Sequence, residues 1–125
     1  MQQLFAGLVA PVTAPLMRGL LGFDPAPAAA ALPLPALVLA GGKDVQIDPD
    51  LDAHLLERAI RDAGHEVTFH LSPSADHVLK HQPLTIAEIR ADLAGAAAAY
   101  NAADRVLDPD AVTAIVAWLA DHTRP

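Results

Sequence analysis

Apolar positions along this chain recur at two different periods, and the changes between them mark out its elements. Leu4, Phe5, Leu8, Val9 and Val12, then Leu16, Met17, Leu20 and Leu21, fall at helical spacing. With Pro11 and Pro15 between them, the pattern predicts two short, proline-kinked helices ending near Gly22, apolar enough to need a partner surface. Residues 23–35 read as a proline-punctuated connector, in which Ala28 to Ala31 could form one helical turn. Ala36, Leu37, Val38, Leu39 and Ala40 are continuously apolar, as in a strand of a parallel sheet buried on both faces. Gly41-Gly42 then lets the chain turn sharply.

Asp48-Pro49-Asp50 reads as a helix start, with Asp as N-cap, Pro at the first helical position and an acid beside the positive end of the dipole. Leu51, Leu55, Ala59, Ile60 and Ala63 share one face, and Gly64 stops the helix. A second strand is expected over 66–71, with Val67, Phe69 and Leu71 on one side. Strand, helix and strand in that order make one right-handed βαβ unit. Further on, Ile86, Ile89, Leu93 and Ala97 mark a helix over 83–99, and 100–106 is a loop. Asp108-Pro109-Asp110 repeats the earlier cap. Val112, Ile115, Val116 and Leu119 predict a final helix packed on the sheet, with Trp118 at its edge. At 125 residues the chain is one domain at most.

Composition narrows the function classes. Hydrophobic residues make up 53% of the chain, which argues against disorder. A net charge of −7 leaves nothing to replace counterions on phosphate, so no nucleic-acid partner is expected. Without cysteine there is no thiolate nucleophile, disulfide or cysteine zinc site. The segment 25–42 carries no charge, but Pro25, Pro27, Pro33 and Pro35 argue against a membrane span. The start of the chain lacks a positive n-region. A soluble, cytoplasmic protein is the expectation.

The chemistry concentrates after the two strands. The segment 35–47, with Gly41-Gly42-Lys43-Asp44 after its strand, resembles the α/β-hydrolase segment that delivers the catalytic acid. Ala75-Asp76-His77-Val78-Leu79-Lys80 resembles that superfamily's histidine loop, and 107–122 its closing helix. Phe23-Asp24-Pro25 resembles the sequence some serine-hydrolase members carry between lid and acid strand. The likeness spans nearly the whole chain but only the C-terminal half of the family's domain. It implies a partial α/β-hydrolase fold: lid-like helices over 1–24, then acid strand, helix, strand and histidine loop over 36–77, then a closing helix over 108–122. It also implies Asp44 as the acid and His77 as the general base of a Ser-His-Asp triad, acting on a carboxylic ester or related acyl bond, without a cofactor.

The pairing has a physical logic independent of any family. A base that takes a proton from serine must be held in one tautomer and stabilised once cationic, and a carboxylate does both. Loops after adjacent parallel strands meet at one sheet edge. The nucleophile is what the chain lacks. No Gly-x-Ser-x-Gly occurs, and the only serines, Ser72 and Ser74, lie in the histidine loop itself, where loop hydrogen bonding is their expected role. His77 and His81, with Asp76 and His70, lack a convergent third metal ligand, and Gly42-Lys43 lacks the rest of a phosphate loop. His54 and His65 are expected to be solvated, and Glu57, Arg58, Arg61 and Asp62 to form an ordinary charged face. Three readings follow: the acid-and-base portion of a hydrolase completed by an N-terminal half, a noncatalytic binding or assembly module, or a hydrolase using Ser72 or Ser74. The first would bind a small acyl substrate only once completed. The free edge of the 36–40 strand is also expected to invite self-association.

Overall fold

The computed structural model describes residues 10–123. Two parallel strands, β1 (Ala36–Gly41) and β2 (Val67–Ser72), form the sheet, in register from Ala36 opposite Val67 to Gly41 opposite Ser72. Between them run a π-helical turn, Pro49–Ala53, and helix α3, His54–Asp62. This is the expected βαβ unit within a small α/β architecture. Ahead of it lie α1 (Ala14–Gly22) and α2 (Pro25–Ala30), the latter capped by Asp24 and packed against α3. After it come α4 (Ile86–Ala91), α5 (Leu93–Ala98), a single 3-10 turn, Ala99–Asn101, and α6 (Pro109–His122). The first of the two expected N-terminal helices lies mostly outside the described residues; α1 is the second.

Cap chemistry sets the helix boundaries. Asp48 Oδ1 accepts from the amides of Asp50 and Leu51, and Asp108 Oδ1 from those of Asp110 and Ala111. Gly64 ends α3 with φ +81°, where a side chain would be strained. The single helix expected over 83–99 is in fact two. Thr85 and Glu88 form a capping box that starts α4. Asp92, at φ −140° and ψ 72°, then breaks the helix, and its carboxylate caps α5 through the Gly95 amide at 2.9 Å.

Burial departs from the expected pattern in an informative way. Among the described residues the buried apolar side chains are Ala40, Ala53, Ile60, Ala75, Ile89 and Ala111, only two of them larger than alanine. Twenty large apolar residues stay exposed. β1, expected to be buried on both faces, is only half-buried from Ala36 to Leu39, because among the described residues β2 is the only strand paired with it. α6 meets both strands as expected, with Ala111 buried and Ile115 half-buried, while Val112, Val116 and Leu119 of the expected stripe stay exposed. On α3 the buried face is Ala53, Glu57 and Ile60, while Leu51 is exposed; the wide π turn rotates the helix relative to an ideal 3.6-residue count. Among the described residues no helix is long and apolar enough to cross a membrane.

One polar cluster that the sequence had assigned to the surface is structural. Glu57, on a face expected to be solvated, is buried between His54, whose Nδ1 lies 2.6 Å away, and Arg61. The His54 hydrogen bond, with Arg61 adding to it, holds the Glu57 carboxyl below its ordinary pKa. His54 is not solvated either: its ring stacks on Phe69 at 4.0 Å.

His122, at the end of α6, ties that helix to the start of β2. Its Nδ1 meets the Trp118 carbonyl at 2.7 Å and its Nε2 meets Glu66 Oε1 at 3.2 Å. Both partners are acceptors, so only the doubly protonated ring donates to both at once. The Trp118 carbonyl first, and Glu66 second, raise the His122 pKa above its ordinary 6.5. A raised folded-state value means the clamp contributes fully below 6.5 and is lost as pH rises through the raised value. The stability gap between wild type and His122→Ala is therefore expected to be wider at about pH 5.5 than at about pH 8.5. Urea midpoints at the two values measure it, and an equal gap would refute the clamp.

Candidate functional site

The site forms where the loops after β1 and β2 are stitched together. The Gly42 amide donates to the Ser72 carbonyl at 2.7 Å, and the Lys43 amide to the Ala75 carbonyl at 2.8 Å. Gly41 lies so close beneath the second loop that a Cβ would stand 2.5 Å from the Ala75 oxygen and 2.6 Å from the Asp76 oxygen. A Cβ on Gly42 would meet Pro73 backbone at 2.8 Å. Neither glycine has positive φ; Gly64 is the only described glycine that does. Close approach, rather than the sharp turn expected from sequence, is what requires the pair.

That approach brings Asp44 and His77 together. Asp44 Oδ2 lies 2.9 Å from His77 Nδ1. Its other oxygen accepts from the Gln46 amide at 2.7 Å and the Ile47 amide at 3.0 Å, so the carboxylate is fixed from both sides. The Asp44 side chain is 9% exposed and the His77 ring 36%. A carboxylate only accepts, so Nδ1 carries a proton, and in the neutral ring the lone pair is on Nε2. Nε2 has no hydrogen-bond partner among the described residues.

The histidine loop is held by a residue that sequence reasoning passed over. Asp76, 2% exposed, accepts at Oδ1 from the amides of Val78 (3.1 Å) and Lys80 (3.0 Å) and at Oδ2 from Arg105 Nη2 at 2.6 Å. Its own amide donates to the Lys80 carbonyl, closing a tight turn beside which His77 sits. The turn forces Leu79 to φ +57°, uncommon for a residue with a Cβ. A second strap comes from the segment before α6, where the Asp108 amide donates to the Leu79 carbonyl at 2.9 Å and the His81 amide to the Val106 carbonyl at 3.0 Å. Tyr100 bridges both loops: its hydroxyl accepts from Gln46 and its carbonyl from Lys80 Nζ. The available signal was an acid two and four residues before amides it could cap, with an arginine downstream.

The two serines differ. Ser72 is fully buried and its hydroxyl donates to Asp110 Oδ2 at 3.0 Å, the oxygen that also meets His70 Nε2 at 2.7 Å. Those bonds, His70 first, hold the Asp110 carboxyl below its ordinary value. Ser72 therefore faces a carboxylate rather than a base. Ser74 is half-buried, and its carbonyl accepts from the Gln82 amide. Lys43 spans to the Leu84 carbonyl at 2.6 Å instead of framing a phosphate site. No group of three or more candidate metal ligands converges among the described residues.

Beside the pair lies a groove of about 470 Å³. It is walled by Val38, Ala40, Leu55 and Leu56, with Asp44 and His77 at one end. The surroundings suit an apolar group brought up to a base. No family profile, curated protein or solved structure matches the chain.

Proposed function

We propose that this chain is the acid-and-base portion of an α/β-hydrolase-like serine hydrolase, acting on a carboxylic ester or related acyl bond once a nucleophile is supplied from outside the described residues. The single observation that carries the reading is the 2.9 Å contact from Asp44 to His77 Nδ1, with the far carboxylate oxygen tied to two amides and Nε2 left free beside an apolar groove. In that arrangement Nε2 takes the proton of an incoming hydroxyl as it attacks the acyl carbon. Asp44 stabilises the imidazolium, and the same proton passes to the departing alkoxide. Water then repeats the cycle on the acyl intermediate. The noncatalytic reading draws its support from Ser72, whose hydroxyl is committed to Asp110.

The chain alone is expected to hydrolyse p-nitrophenyl acetate no faster than the same concentration of free imidazole. It lacks a positioned hydroxyl, and a missing oxyanion donor alone typically costs about 3–4 kcal/mol. A fluorophosphonate adduct on Ser72 or Ser74 would overturn this. The coding DNA immediately upstream of Met1 is the complementary test. A Gly-x-Ser-x-Gly there, in frame or frameshifted, should yield a fluorophosphonate-reactive serine when joined to this chain, and His77→Ala should silence it. A reactive serine indifferent to His77→Ala, or no such motif, would leave the binding-module reading in its place.

A further inference from the structure

Among the described residues the sheet has an open side, and its backbone specifies what fits there. The Ala36 amide donates to the Glu66 carbonyl at 3.0 Å and the Gly42 amide to the Ser72 carbonyl at 2.7 Å, at the two ends of the parallel ladder. Residues alternate along such a ladder, so 36, 38, 40 and 42 face β2, while Leu37, Leu39 and Gly41 face away. The Gly41 carbonyl is taken by the Asp44 amide at 3.1 Å. The amides of Leu37, Leu39 and Gly41 and the carbonyls of Leu37 and Leu39 have no partner among the described residues. Four consecutive residues, Val38 to Gly41, line the groove. Successive side chains point to opposite faces, so a groove touching all four runs along the strand's edge rather than over one face. Exposed Ile47 and Leu55 flank it.

We propose that the outer edge of β1 is a docking site for an extended, apolar strand of a different polypeptide, paired parallel to β1, whose following loop reaches the Asp44–His77 end of the groove. The choice of a different polypeptide rests on the proposed hydrolase reading; the strand pairing rests on the edge itself. An extended strand is the occupant because alternating outward amides and carbonyls are satisfied by a strand and not by a helix. A parallel strand has its C-terminal end beside Gly41, where Asp44 and His77 stand. A second copy fits less well. Two-fold pairing of one edge with itself is antiparallel and sets the Pro33–Pro35 end of the copy beside His77, and both copies carry −7.

The test uses the full chain, isotope-labelled, and a blocked peptide of alternating valine and threonine with a lysine at each end. Saturating peptide is expected to slow amide exchange at Leu37 and Leu39 by about tenfold, one hydrogen bond's worth, relative to Val38 and Ala40. The same peptide N-methylated at alternate residues should do nothing. A nitroxide at the peptide's C-terminus should broaden His77 and Asp44 rather than Ala36. Leu39→Pro should abolish the response, and the N-methylated peptide keeps the test decisive if that variant does not fold. No slowing, equal slowing by the N-methylated peptide, or broadening at Ala36 would overturn the proposal. So would protection that grows with chain concentration without peptide, which assigns the edge to a second copy, or protection in the free chain at every dilution, which assigns it to the chain's own segment. The peptide response needs no nucleophile, so failure of the hydrolase reading would register in the esterase assay and not here.

Discussion

Replacing Asp76 by alanine is expected to cost about 3–5 kcal/mol, the range for leaving one member of a buried ion pair unpaired. Arg105, whose side chain is 13% exposed, would lose its carboxylate, and the Val78 and Lys80 amides would lose their acceptor in the same step. Arg105 Nε is already buried without a partner, so the guanidinium has no alternative to fall back on. Small domains hold roughly 5–15 kcal/mol in total, and this one buries few large side chains. Asp76→Ala should therefore be unfolded, or nearly so, by circular dichroism at room temperature. Asp76→Asn keeps an acceptor for the two amides but not the charge, and should fall between the two. A loss below about 1 kcal/mol for the alanine variant would show that the loop is held elsewhere.

Gly41→Ala should destabilise by about 1–3 kcal/mol and pull Asp44 away from His77, although it adds one methyl group. The atoms that methyl would meet are the Ala75 and Asp76 carbonyls, and backbone cannot rotate aside as a side chain could. Gly19 is the contrast: open space surrounds it within α1, so alanine there should be neutral or stabilising by up to about 1 kcal/mol. Thermal melts of the two variants check the energies, and the downfield Nδ1 proton of His77 checks the geometry. A Gly41→Ala protein with wild-type stability and an intact Nδ1 resonance would mean the loops have room to part.

The βαβ unit was legible because its signals were local: an uninterrupted apolar strand, an Asp-Pro cap, a terminating glycine and a second alternating strand. Asp44 and His77 were legible for a topological reason, since residues just past neighbouring parallel strands share an edge. What escaped were consequences of packing that no single segment states. The π turn at 49–53 rotates α3, so Glu57 turns inward where Leu51 was expected. Asp92 looks like one more polar residue in a helical pattern until its carboxylate caps the next helix. His54, on the helix, stacks on Phe69 of β2, a contact set by how α3 packs on the sheet. The stripe on α6 was correctly read as apolar and the helix does meet both strands, but two strands make too narrow a sheet to cover Val112, Val116 and Leu119 as well.

The uncovered leucines and valines have a consequence for the chain's lifetime in a cell. Chaperones and proteases recognise unburied apolar side chains, and a fold of marginal stability visits open states often enough to be captured. A chain displaying Leu20, Leu21, Val116 and Leu119 to water carries such recognition elements even when folded. At a given rate of synthesis, faster capture lowers the steady-state abundance. A polypeptide that covered those side chains would lengthen the half-life as the uncovered fraction shrank, so the amount of this protein would rise with the amount of its cover.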